Sequence, residues 1–213
     1  MPRTVMPMYL VMIGSPTKTR SVLENQFPGI VERAALGDRD AWSTLYGWVN
    51  PGLHRYLKAS AGTASGEEIL ADTFLELGRR LPAFRGGASE FRVLAFTIGR
   101  RRMLDRRRFD SRRLPTEATA DGRRAAPEAI TRFATAAALA LPPDQADTVL
   151  LCVCGRLLIA EAAQVLGMPT RVVARTAQEG LCKLDDFLTF SSAPPGGGSV
   201  VGDAEAVGAG GEL

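Results

Sequence analysis

The sequence predicts an all-α fold of two small helical domains joined by a flexible linker, with a helix-turn-helix in the C-terminal domain. Apolar residues recur three and four positions apart in almost every segment, and no stretch alternates as a β-strand does. Residues 114–126 lack apolar periodicity and are predicted to form the linker. Two amphipathic segments separated by a short turn lie near the C-terminal end. A chain of 213 residues is long enough for two such domains.

Glycine and proline divide the first domain, residues 27–113, into helices. Glu67 and Glu68 are placed in the first turn of one helix, where negative charge suits the helix dipole. The first predicted helix covers residues 30–36, the second begins near Asp38, and Pro51 starts the third. After a break at residues 62–66, the fourth helix covers residues 67–81. The fifth is the arginine-rich segment, which follows a glycine-containing loop at residues 82–89.

The last helix of this domain has two contrasting halves. Residues 91–98 are apolar almost all round and are predicted to be buried, whereas six of the nine residues 100–108 are arginine. So much like charge on one helix repels itself, and it is expected beside a polyanion. A solvated charged face would normally mix glutamate with lysine or arginine. The pattern therefore predicts a nucleic-acid contact.

The distribution of charge along the chain agrees with this prediction. The net charge of the whole chain is only +3. Residues 79–113 contain twelve arginines and three acidic residues, a net charge of +9, so the rest of the chain carries −6. This layout predicts one positively charged surface rather than a generally basic protein.

The second domain, residues 127–190, carries the helix-turn-helix pattern. Residues 159–166 form a short amphipathic helix, Gly167 begins the turn, and Thr170 is placed to cap the next helix. In a helix-turn-helix the second helix enters the major groove, where arginine reads guanine and glutamine reads adenine. Any helical hairpin in a bundle gives a similar pattern, which leaves that alternative open. The residues expected to face DNA are Thr170, Arg171, Arg175, Thr176, Gln178 and Lys183.

The rest of the composition favours no catalytic or metal site. Cys152, Cys154 and Cys182 form no C-x-x-C pair and are interpreted as small buried apolar residues, which fits a reducing cytoplasm. His54 is the sole histidine, and no carboxylate pair, Cys–His pair or phosphate-binding loop accompanies it in the sequence. We expect neither an enzyme nor a cofactor. Residues 1–26 are interpreted as a flexible leader with no membrane span and residues 191–213 as a disordered tail.

Three stretches in order resemble the extracytoplasmic-function (ECF) group of bacterial sigma factors, the subunits that direct RNA polymerase to promoters. They are GEEILADTFLELGRRLPAFRG at residues 66–86, FRVLAFTIGRRRMLDRRR at residues 91–108, and LPPDQADTVLL with IAEAAQVLGMPTRVVAR at residues 141–175. The resemblance extends over residues 27–188. The chain departs from the family pattern at Ala71, Gly78, Leu94 and Glu179.

The resemblance implies core RNA polymerase and promoter DNA as partners, the latter both as duplex and as a melted non-template strand. It leaves an anti-sigma protein open as a third partner and implies a cytoplasmic protein at the nucleoid. The residues implied in polymerase docking are Glu68, Asp72, Thr73, Phe74 and Leu77, although the spacing of Phe74 fits a core residue equally well. Those implied in binding and melting the minus-ten element are Arg85, Gly86, Ser89, Arg92, Arg100, Arg101, Arg102, Arg106, Arg107 and Arg108. The alternative function is a helix-turn-helix regulator that acts without stable polymerase association.

Overall fold

The computed structural model describes residues 18–112 and 128–191, which form helices without β-strands. The prediction of an all-α fold is confirmed. The predicted linker lies outside these residues, as do most of the predicted leader and the predicted tail beyond Ser191, which is itself the last residue of a helix. The helices are α1 (Lys18–Ala35), α2 (Arg39–Ala61), α3 (Thr63–Arg80), α4 (Ala88–Arg112), α5 (Glu128–Ala140), α6 (Pro143–Val153), α7 (Ile159–Leu166) and α8 (Thr170–Ser191), with a 3-10 turn at Leu81–Ala83. None of the helices in these ranges is long and apolar enough to cross a membrane.

Helix α2 is continuous where the sequence predicted two helices. Pro51 lies inside it, so the carbonyl of Gly47 lacks the helical hydrogen bond that residue 51 would normally donate. The helix continues because both sides of Pro51 contribute to one buried stripe with a spacing of three and four residues. The stripe consists of Ala41, Leu45, Val49, Leu53, Tyr56 and Leu57. Burial of this stripe outweighs the lost hydrogen bond.

Two helix starts also differ from the prediction. Helix α1 begins at Lys18, so residues 18–26, which we expected in the leader, are helical. Helix α3 begins at Thr63, which places Glu67 and Glu68 in its second turn rather than its first. Only Gly62, with φ of 80°, interrupts the chain between α2 and α3.

The two predicted domains pack against each other around a continuous core. Buried residues from α1 to α4 and from α5 to α8 belong to one apolar cluster. At the junction, Phe96 of α4 lies 5.8 Å from Tyr56 of α2, measured between ring centroids. A Cβ atom on Gly155, in the turn after α6, would lie 2.7 Å from the Phe96 ring. The junction is therefore a close-packed interface.

Candidate nucleic-acid interface

The apolar half of α4 is anchored in the core, as predicted. Phe91, Phe96 and Met103 are at most 1% exposed, and Ala95 is fully buried. The Phe91 ring meets the Phe27 ring of α1 with centroids 5.7 Å apart. Because these contacts fix the axis of α4, the arginines beyond Ile98 project from a rigid support.

The loop before α4 is compact. Phe84 is half-buried and lies edge-on to Phe91, with ring centroids 5.5 Å apart. The Arg85 guanidinium donates to the carbonyls of Pro82 and Phe84, at 2.9 and 2.8 Å. A Cβ atom on Gly86 would lie 2.7 Å from the Phe84 ring, so glycine is required by close packing within the loop.

Glu76 of α3 pairs with three guanidinium groups. Arg101 and Arg102 donate to its carboxylate at 2.9 and 2.8 Å, and Arg80 binds the same group from the next turn of α3. Burial alone would raise the pKa of Glu76, but the hydrogen bond from Arg102 and the positive charges of Arg101 and Arg80 outweigh it and lower the pKa. The carboxylate therefore stays ionised and fixes the direction of these arginines.

The later arginines of α4 are more exposed. Arg106 pairs with Glu68 of α3 at 3.2 Å, and Arg107 donates to the carbonyl of Ser60. Arg108 has a side chain that is 71% exposed and lies 3.5 Å from Asp105. The contacts of Arg106 and Arg107 link the end of α4 to α3 and α2, and exposed ion pairs of this kind contribute little stability.

Three predicted DNA contacts instead face the C-terminal half. Arg100 donates to the Asp147 carboxylate of α6 through Nε at 2.7 Å. The Ser89 hydroxyl donates to Glu161 of α7 at 3.0 Å. Arg92 donates to the carbonyl of Arg156 at 2.9 Å and lies 3.9 Å from the Glu161 carboxylate. In this structure the C-terminal half contacts these half-buried side chains, and their role in binding DNA stays a prediction.

Asp147 and Glu161 are themselves held from more than one side. The Tyr56 hydroxyl donates to the other oxygen of Asp147 at 2.7 Å, and burial and the negative charge of Asp147 raise the pKa of Tyr56 well above its usual value. Glu161 also accepts the backbone N–H of Leu158 at 2.9 Å, which caps α7. Both carboxylates are nearly inaccessible, with residues 147 and 161 exposed by 7% and 1%.

The helix-turn-helix pattern is present as predicted. Gly167 ends α7 in the left-handed conformation, with φ of 66° and ψ of 32°, and α8 begins at Thr170. Val173, Ala177 and Leu184 of α8 are buried. Helix α8 therefore turns one apolar face to the core.

The opposite face of α8 is largely exposed and polar. Arg175 lies 3.6 Å from Glu179, and Lys183 donates to Gln145 of α6 at 3.1 Å. Thr170, Arg171, Arg175, Gln178 and Lys183 are exposed, and Thr176 is half-buried. Cys182 is exposed on this face, which corrects the expectation that all three cysteines are buried. Its position follows from the helical period, since Leu181 and Leu184 occupy the apolar side.

The predicted polymerase-docking residues of α3 divide into two groups. Thr73 and Leu77 are fully buried, and the Thr73 hydroxyl donates to the carbonyl of Ile69, so neither presents a side chain to a partner. Their expected role as contacts is corrected to support of the helix from within. Phe74 is half-buried against Tyr46, with ring centroids 4.5 Å apart. Glu68 and Asp72 are exposed at the edge of α3.

Several residues of the site were missed by the sequence reasoning. Glu76 and Asp147 looked like ordinary helical carboxylates, and Tyr56 like a core residue. Leu75 is 61% exposed beside Phe74, although its residue type gave it to the core. The available signal was periodicity, because Leu75 falls outside the buried spacing of Ile69, Leu70, Thr73 and Leu77.

The comparisons with known proteins agree with this geometry. No protein-family model matches the chain. The ECF RNA polymerase sigma factor BldN of Streptomyces coelicolor is 30% identical over an alignment of 151 residues, and the match covers 65% of this chain and 56% of that protein. The chain thus spans little more than half of that relative's length.

Two solved structures share the architecture. The structure of CnrH in complex with the cytosolic domain of CnrY has a TM-score of 0.59 at 24% identity and covers 76% of this chain and 97% of that one. The sigma factor RpoE in complex with the anti-sigma factor NepR, from Bartonella quintana, has a TM-score of 0.56 at 16% identity and covers 70% and 96% of the two chains.

Fold and site together define an all-helical protein with an arginine-bearing helix and a helix-turn-helix. The fold is shared with CnrH and with the sigma factor RpoE, and the similarity to BldN agrees with the resemblance that the sequence motifs predicted. BldN is named as a sigma factor, the class of protein that the sequence motifs of this chain resemble.

Proposed function

We propose that this chain is a sigma factor that binds core RNA polymerase and directs promoter recognition, DNA melting and transcription initiation. The observation that carries the proposal is that two helices of the kind that bind DNA occur together in one sigma-factor fold. Helix α4 carries the arginine cluster, and α8 presents the exposed face of the helix-turn-helix. RNA synthesis is the chemistry of the polymerase, and this chain supplies recognition and strand separation.

The α8 face is proposed to read the upstream promoter element. Arg171, Arg175 and Gln178 are exposed near the N-terminal end of the helix, where a recognition helix contacts base edges. The Arg175 guanidinium lies 3.6 Å from the Glu179 carboxylate and is largely exposed, so it is accessible for a bidentate contact with guanine.

The exposed arginines of α4 are proposed to hold the separated strand at the minus-ten element. The side chain of Arg101 is 56% exposed and that of Arg108 is 71% exposed, so both are accessible to phosphate. Unpairing a base costs a few kcal/mol, which contacts with phosphate and with the loop at residues 84–89 must offset. Arg106 and Arg107 extend the same positive surface.

Polymerase docking is assigned to the exposed edge of α3. Glu68, Asp72 and Leu75 are exposed there, and Phe74 supplies a half-buried aromatic surface. An apolar side chain with charged neighbours is typical of a protein interface. The solved structures of CnrH and RpoE contain CnrY and the anti-sigma factor NepR, and we include an anti-sigma protein among the proposed partners. A sigma factor acts in the cytoplasm at the nucleoid, and we propose that location.

Reconstitution with core polymerase tests the function. Run-off transcription on a genomic promoter library is expected to give discrete starts that require the chain. Leu75→Glu is expected to abolish co-purification with core enzyme, whereas Ser43→Ala on exposed α2 surface leaves it unchanged. A chain that binds duplex DNA but neither associates with polymerase nor initiates would establish the alternative, a regulator that acts without stable polymerase association.

Charge reversal tests the DNA assignment separately. Arg101→Glu with Arg108→Glu is expected to prevent promoter opening, measured by permanganate reactivity of unpaired thymines, while polymerase binding persists. Arg175→Ala with Gln178→Ala is expected to reduce upstream-element selectivity by roughly 1–3 kcal/mol per lost base contact. Unchanged opening in the first variant would contradict the role assigned to α4.

A further inference from the structure

The polar face of α8 forms a single stripe that includes an acidic side chain. At 100° per residue, the five exposed residues of this stripe lie within about 100° of arc around the helix. They are Arg171, Arg175, Gln178, Glu179 and Cys182. Gly180 lies on the opposite side, where a Cβ atom would be 2.6 Å from the Val149 side chain of α6. This close packing fixes the direction in which the stripe faces, so Glu179 belongs to the surface that the helix-turn-helix turns outward.

Glu179 differs from the carboxylates that hold the helices together. Glu76, Asp147 and Glu161 are buried, and each binds a side chain of another helix. The Glu179 side chain is instead 56% exposed, and in the part of the chain that the structure describes it pairs with Arg175, one turn earlier in the same helix, at 3.6 Å. An exposed pair of this kind contributes little stability. The Glu179 carboxylate is therefore accessible to a partner outside the chain.

A carboxylate on this stripe restricts what the stripe can bind in the major groove. Phosphate repels it, so it lowers the affinity for DNA unless a hydrogen-bond donor of a base meets it. The base edges in the major groove offer two such donors, the N4 amino group of cytosine and the N6 amino group of adenine. Adenine presents the acceptor N7 beside its amino group, which suits an amide that both donates and accepts. A carboxylate only accepts, and it therefore fits cytosine.

We propose that Glu179 is a specificity-determining residue of the upstream-element site and that its carboxylate accepts a hydrogen bond from the N4 amino group of a cytosine. This rests on the proposed function and names a base that α8 selects. Guanine O6 or thymine O4 in place of the cytosine amino group would put an acceptor against the carboxylate. Arg175 meets Glu179 through Nε, so its two terminal nitrogens remain for a neighbouring guanine. The chain departs from the family pattern at Glu179, so the resemblance does not supply this assignment.

The test compares base selection by the full chain and by two matched variants. Glu179→Gln keeps the shape of the side chain, removes its charge and supplies the amide that pairs with adenine. Asp186→Asn makes the same charge change at an exposed position about 10 Å farther along α8. In one arm, each folded chain alone selects from a pool of duplexes randomised over the upstream element, and the bound duplexes are sequenced. In the other arm, the same pool is transcribed with core polymerase and the transcribed templates are sequenced.

The wild type is expected to favour cytosine at one position by about fivefold or more. Glu179→Gln should change the preference at that position to adenine and leave the other positions unchanged, whereas Asp186→Asn should keep the cytosine preference within about twofold. The proposal is overturned if Glu179→Gln tightens binding to all sequences alike, if the wild type prefers another base at the position that changes, or if it selects no sequence in either arm.

The two arms separate this proposal from the proposed function. Cytosine selection by the chain alone, without transcripts, would refute the proposed function and leave the role of Glu179 intact. Transcripts whose upstream preference is the same for the wild type and Glu179→Gln would support the proposed function and refute the role of Glu179.

Discussion

At the scale of single residues, the structure pairs the buried carboxylates Glu76 and Asp147 with partners that their residue type does not reveal. Glu76 binds three arginines of two helices, and Asp147 binds a tyrosine and an arginine from the other half of the chain. A buried carboxylate is stable only when hydrogen bonds and opposite charge replace its water. Both residues therefore depend on side chains that are distant in sequence.

Replacement of Glu76 tests this dependence. Glu76→Gln is expected to lower the free energy of unfolding at pH 7 by about 1–3 kcal/mol, because three guanidinium groups lose their shared anion. The folded pKa of Glu76 is lowered, so its contribution is present above the ordinary pKa and is lost as the pH falls through the folded value. The free energies of unfolding of wild type and variant, measured with urea, should therefore converge as the pH falls below the ordinary pKa of glutamate. Glu32→Gln, at an exposed position of α1, is the control, and an equal loss there would contradict the expectation.

The three cysteines are expected to react differently. Burial raises the pKa of Cys152 to about 12 and that of Cys154 to about 11, whereas Cys182 is exposed. Only a thiolate attacks a disulfide reagent, so one thiol should react rapidly in the native chain at pH 8 and two more only in guanidinium. A Cys182→Ser variant should show no rapid phase. Rapid reaction of two native thiols would show that α6 opens readily.

At the scale of elements, close backbone approach decides where helices cross. A Cβ atom on Gly66 of α3 would lie 3.0 Å from the backbone nitrogen of Lys58 and 3.1 Å from the backbone carbonyl of Leu57, both in α2. The sequence placed Gly66 in a break between helices because glycine disfavours helix interiors. Contact between two backbones accounts for it instead, and this contact depends on the tertiary arrangement.

Two glycines of α3 provide a matched comparison. Gly66→Ala is expected to destabilise the protein by about 1–3 kcal/mol, because α2 and α3 must move apart. Gly78→Ala is expected to stabilise it by about 0.5–1 kcal/mol, since the nearest described atom outside its own helix would be on the Trp42 ring at 3.9 Å and alanine favours the helix. Thermal melts measure both changes. Equal effects at the two positions would contradict the proposed crossing contact.

At the scale of the whole molecule, the two halves share one core and one set of polar contacts. Tyr56 and Asp147 are 91 residues apart in sequence and hydrogen-bonded in the structure. Such coupling predicts cooperative unfolding of both halves, since neither keeps its buried surface when the other opens.

Unfolding followed by two probes tests the coupling. Trp42 and Trp48 both lie in α2, so fluorescence reports on the N-terminal half, whereas hydrogen exchange in α6 reports on the other half. Tyr56→Phe should shift both transitions together by about 1–3 kcal/mol, because Asp147 loses a buried donor. Tyr46→Phe, at an exposed ring, should shift neither. Separate transitions would show that the halves are independent.

The sequence by itself determined the helices that depend on local periodicity. The apolar root and arginine half of α4, and the paired helices with Gly167 between them, were all predicted because burial follows the helical period and a left-handed turn favours glycine. The continuous α2 was missed because burial of a long apolar stripe overrides Pro51, and the early start of α3 was missed because Gly66 lies inside that helix at a close contact between two backbones. The tertiary structure alone decided which anion each arginine meets, since Asp147 and Glu161 reach α4 only through packing of the two halves.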